Sequence, residues 1–82
     1  MEQDAIVSHT SVIGCVGTLI VATRGVDGAG EVVLPVRGSK EAFLARSDEA
    51  LPKGTKVLVV GVQGARTVIV EPWTQMVATE VL

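Results

Sequence analysis

The chain has 82 residues, a net charge of −2 and 48% hydrophobic content, with one phenylalanine and one tryptophan as its only aromatics. That length holds one small domain with a modest core, and the single cysteine, Cys15, excludes an internal disulfide staple. The charges are scattered, without the basic run that marks a nucleic-acid binder.

Residues 1–12 show no period and read as a flexible lead-in. Their start, MEQDAIVSHT, has neither the cationic opening nor the apolar run of a signal peptide. No apolar stretch anywhere approaches the ~20 residues that span a bilayer. Residues 14–23 (GCVGTLIVAT) predict a first strand, with Gly14 and Gly17 pointing to a bulge or a close backbone approach. RGVDGAG, residues 24–30, is a loop on its glycine content. Residues 31–36 (EVVLPV) predict a second strand that ends, or runs along an edge, at Pro35, which cannot donate to a ladder.

Arg37-Gly38-Ser39 is a tight turn, and it returns the chain as a third strand over 41–46 (EAFLAR). Helix competes here on propensity, but the short turn and the need for an antiparallel partner favour strand. A helical turn is expected near residues 47–51, with Ser47 as its cap and Asp48 and Glu49 in its first turn. Pro52-Lys53-Gly54 then turns into a fourth strand over 55–62. Gln63 to Arg66 closes a hairpin, with Gly64 at a left-handed position, and a fifth strand over 67–71 stops at Pro72. Residues 74–82 read as a short C-terminal tail, either a helical turn or frayed chain, so that the ends are expected to be disordered or helical. Five short strands punctuated by Gly and Pro, with no long helix, predict an all-β fold: a five-stranded OB-type small barrel that closes its own edges, or a sandwich.

Several pieces occur in a recognisable order: Gly14 and Gly17, Gly30-Glu31-Val32, Ala45-Arg46-Ser47, Gly54-Thr55-Lys56-Val57-Leu58-Val59-Val60, and Val68-Ile69-Val70-Glu71-Pro72. In this order, residues 13–73 resemble the C-terminal soluble domain of NfeD-like proteins. The resemblance implies an OB-type barrel and a non-catalytic protein-interaction module. It implies partners among stomatin-, prohibitin- or flotillin-type membrane proteins. It also implies a soluble domain tethered to the cell membrane through a region absent from this chain, with the cytoplasmic side favoured. The chain is then either a domain of a longer protein or a short free-standing member. Longer members carry a serine protease domain upstream, and no residue here matches it.

The valine-rich hairpin LPKGTKVLVVGVQGARTVIVEPW carries the functional question, because apolar residues occupy both its odd and even positions. A strand with one wet face should alternate. The family outline puts Val57 and Val59 inward, then shifts to Val62, as a β-bulge would; Val68 and Val70 face inward on the fifth strand. Alternation completes the core with Leu19, Val21, Val32, Leu34, Phe43 and Ala45. Leu58 and Ile69 are left outside, close enough across paired strands to form one patch. Leu44 is a third candidate and Trp73 a potential anchor. Cover by the chain's own tail, or ordinary surface scatter, is the competing explanation. Self-association is another use of such a patch.

The chemical alternatives are weak. An OB barrel that binds single-stranded nucleic acid is the second functional reading, but it needs a basic groove and stacking aromatics. Here Arg24, Arg37, Lys40, Arg46, Lys53, Lys56 and Arg66 are dispersed, and only Phe43 lies within a strand. Ser8, His9 and Cys15 lack a third orienting group at a recognisable spacing, so no catalytic set is expected. No cofactor or metal site is expected either, because His9 and Cys15 are isolated as ligands.

Overall fold

The computed structural model describes residues 12–73. The expectations for the lead-in over 1–11, with Ser8 and His9, and for the tail 74–82 fall outside them; Val12, expected as the end of that lead-in, is instead buried in the core. The five strands are β1 (Val16–Val21), β2 (Gly30–Val36), β3 (Ser39–Arg46), β4 (Lys56–Val62) and β5 (Thr67–Pro72). They close into a barrel in the order β1-β2-β3-β5-β4, and β4 pairs back onto β1. Every pairing is antiparallel except β3 with β5. The result is the OB-type barrel, in which closure removes free sheet edges.

The third segment is strand rather than helix because of its turn. Arg37 and Gly38 have φ of 52° and 86°, and Val36 pairs directly with Ser39 across them. Positive φ at both central positions defines a type I′ turn, whose twist matches that of paired strands. The hairpin then runs in uninterrupted register from Val36↔Ser39 to Gly30↔Ala45. Helix propensity in EAFLAR yields to this pairing.

Glycine makes the closure possible at Gly17. A Cβ there would lie 2.5 Å from the Val33 carbonyl oxygen and 2.6 Å from Leu34 Cδ2. β1 can therefore cross β2 this closely only without a side chain at that point.

The core comprises Leu19, Val32, Leu34, Phe43, Ala45, Val57, Val59, Val68 and Val70, all at the expected inward positions, joined by Val12 and Leu51. Cys15, Val36 and Val62 pack against it, partly buried. The β4–β5 register shifts between Val59 and Gly61. This bulge sends Val59 inward (1% exposed) and leaves Val60 outside (40%).

Two further expectations are corrected. Val21 was expected in the core but is 45% exposed. The register of β1 against β2 slips between Leu19 and Val21, so Val21 pairs with outward-facing Glu31 instead of continuing the inward row. The second correction concerns residues 47–51, which form bends rather than a helical turn. Ser47 does act as a local cap: its Oγ accepts the Glu49 N–H at 3.0 Å. The remaining backbone groups are engaged elsewhere. Thr23 Oγ1 donates to the Glu49 carbonyl (2.7 Å) and accepts the Leu51 N–H (2.8 Å), and the Thr23 N–H donates to the Leu51 carbonyl (2.9 Å). Backbone groups committed to Thr23 are not available for i→i+4 bonds.

Candidate interaction surface

The outer face of β1, β4 and β5 carries an apolar row built by strand alternation. Inward Val57 and Val59 flank Leu58, which therefore faces outward and is half-buried. Its Cα partners are Val16 on β1 and Glu71 on β5. Two residues along β5 stands Ile69, also half-buried, opposite Gly61 at the bulge. Leu58 and Ile69 thus share one face in diagonal relation, with Val60 projecting at the bulge beside them.

Leu44 is exposed one strand further round. It pairs with Thr67, while Arg46 stands across from Ile69. Trp73 is exposed at the opposite end, where its N–H donates to the Lys56 carbonyl at 2.8 Å. Of the four expected residues, Leu44, Leu58 and Ile69 face outward on the neighbouring strands β3, β4 and β5, with Ile69 diagonal to each of the other two, and Trp73 follows the end of β5.

Val16 (36% exposed) and Val60 belong to the same row but were not expected there. The signal for Val16 was present, since the alternation that buries Leu19 and Gly17 turns Val16 outward. Val60 was legible as half of the Val59–Val60 pair, but its outward direction follows only once the bulge is placed between them.

Phe43 is not available as a stacking platform. It is 8% exposed, and the Arg66 guanidinium covers its ring at 4.7 Å. Base stacking needs an open aromatic face. Cys15 is half-buried against the core, and its carbonyl accepts the Val59 N–H. Among the described residues, no three His, Cys, Asp or Glu side chains come together as a metal set. Among those residues, too, no helix is long and apolar enough to cross a membrane.

A five-stranded OB-type barrel with a buried valine core and an apolar outer row is thus the class of domain present. Residues 16–71 match the NfeD C-terminal domain, and the chain belongs to the NfeD family. No curated protein matches it. Among solved structures it is similar to the soluble domain of the NfeD protein YuaF from Bacillus subtilis, at 33% identity and a TM-score of 0.71, covering 87% of this chain and 83% of that one. It is similar at 32% identity and a TM-score of 0.59 to the C-terminal domain of a stomatin operon partner protein from Pyrococcus horikoshii, covering 82% and 95% of the two chains. The soluble domain of a Corynebacterium glutamicum membrane protein implicated in regulation of membrane protease activity shares the fold, at 24% identity and a TM-score of 0.63 over 82% of this chain and all of that one.

Proposed function

We propose that this domain is a non-catalytic protein-interaction module of an NfeD-like membrane protein, acting with stomatin-, prohibitin- or flotillin-type membrane scaffold proteins. The observation that carries the reading is the outward apolar row of Val16, Leu58, Val60 and Ile69. Val16 and Val60 are exposed and Leu58 and Ile69 half-buried, and outward-facing apolar surface grouped in this way supports an interaction site. The similarity to a domain of a stomatin operon partner protein supports the choice of partner class.

Affinity capture from detergent extract of the source organism tests it, with Val60→Lys and a Leu58→Lys, Ile69→Lys pair as controls. Val60 is exposed, so its variant retains the fold; circular dichroism checks both variants. A stomatin-type protein recovered by the wild type and lost with folded Val60→Lys is the expected result. Failure of the wild type to recover any such protein overturns the reading.

A further inference from the structure

We infer, resting on the interaction-module reading above, that the partner contributes a basic segment carrying aliphatic side chains, and that it docks in the cleft between the outer face of β4–β5 and the loop that follows β3. The cleft has a volume of about 480 Å³, within the roughly 300–1,000 Å³ range of ligand-sized clefts. Its apolar lining includes Val60 and Ile69, and Asp48, Glu49 and Glu71 supply three carboxylates. None of its lining residues carries a positive charge. Among the described residues the one ion pair is Arg66–Glu41, so these three carboxylates have no cationic partner there. Arg46 stands at the border, lining the adjoining smaller depression, and leaves the cleft with a negative balance.

The acidic wall is held in place. Ser47 Oγ accepts the Glu49 N–H, and buried Thr23 grips the Glu49 carbonyl and the Leu51 N–H. The apolar side is set by the bulge, which turns Val60 outward. A preformed cleft spares a partner the entropy of ordering it. Uncompensated carboxylates beside apolar surface select a basic, aliphatic segment by charge complementarity. A second copy of this chain carries the same net charge of −2 and is the poorer electrostatic match.

Fluorescence anisotropy tests the inference with a labelled synthetic peptide alternating lysine and leucine, beside glutamate–leucine and lysine–serine counterparts. The lysine–leucine peptide should bind and the counterparts should not. Affinity should fall by about tenfold or more in an Asp48→Asn, Glu49→Gln, Glu71→Gln variant, and on raising salt from about 50 mM to about 0.5 M. Those three side chains are polar surface groups, and a thermal melt confirms that the variant folds. Absence of binding, equal binding by the neutralised variant, or equal binding of the glutamate–leucine peptide overturns it. Sedimentation showing self-association lost in Val60→Lys but kept in the neutralised variant also overturns it, by placing a second copy in the cleft. The two readings fail separately. A stomatin-type protein captured equally by the wild type and the neutralised variant removes the cleft and leaves the module. Peptide binding without such capture removes that partner class and leaves the cleft.

Discussion

The guanidinium of Arg66 lies over the ring of Phe43, 4.7 Å from its centroid, and ties the β4–β5 loop to β3. Arg66 Nη1 also donates to Glu41 Oε1 at 3.0 Å, and Nη2 to the Ala42 carbonyl at 2.8 Å. The Arg66 carbonyl accepts the Leu44 N–H at 2.8 Å. These contacts sit at the end of the β3–β5 seam, which has only three Cα partner pairs and closes the barrel. One side chain thus covers the edge of the core and reinforces the parallel β3–β5 pairing.

Replacing Arg66 by alanine should lower stability by about 1–2 kcal/mol, combining a cation–π contact of roughly 0.5–1 kcal/mol with a charged hydrogen bond to Ala42. The exposed pair with Glu41 adds about 0–1 kcal/mol at most. Glu41→Gln should therefore cost far less than Arg66→Ala. Urea denaturation of the two variants checks this. Equal losses would assign the effect to the ion pair rather than to the ring and backbone contacts.

Thr23 is the buried connection between the end of β1 and residues 47–51. Thr23→Val preserves shape but removes Oγ1, leaving the Leu51 N–H and the Glu49 carbonyl without that partner. Stranding buried polar groups costs about 1–3 kcal/mol. In a domain of this size each kcal/mol lowers Tm by roughly 4–8 °C, so calorimetry reads the effect directly. Thr23→Ser, which keeps the hydroxyl, should recover most of the loss. A Thr23→Val variant as stable as the wild type would show that the loop does not depend on the hydroxyl.

The barrel was legible in the sequence because its punctuation is chemical. Gly38 and Gly64 fall at positive φ in hairpin turns, Gly17 fills a gap too narrow for a Cβ, and the alternation of Val57, Val59, Val68 and Val70 marks one inward face. Val21 escapes the alternation rule because residues 19–22 are all apolar. Alternation cannot reveal a bulge where every residue could be buried. The loop at 47–51 departs from a helical turn for another reason: the hydroxyl that decides it, on Thr23, lies 26 and 28 residues away in sequence from its partners. Leu58 and Ile69 could be placed by alternation, whereas the grouping of Asp48 and Glu49 with Glu71 appears only when β3 pairs with β5.

Arg37 holds a φ of 52° in the type I′ turn, a region that costs a non-glycine residue free energy. Asparagine tolerates it better, and Asn-Gly is the favoured pair for this turn. Arg37→Asn should stabilise the domain by about 0.5–1 kcal/mol, a rise in Tm of several degrees. The Arg37 side chain makes no hydrogen bond or ion pair among the described residues, so nothing offsets the gain. A lower Tm would show that the arginine contributes more than its backbone strain removes.

Val59 and Val60 are identical neighbours with opposite surroundings, 1% and 40% exposed. Val59→Ala removes two buried carbons and leaves a cavity, which should cost roughly 1.5–3 kcal/mol. Val60→Lys places a charge on the outside of the bulge and should change stability by about 0.5 kcal/mol or less. The bulge produces this asymmetry, because it puts two residues of β4 opposite one residue of β5. Paired denaturation curves for the two variants check it. A large loss in Val60→Lys would mean that Val60 is covered. It would also remove the apolar side of the cleft from the surface on which a partner has to dock.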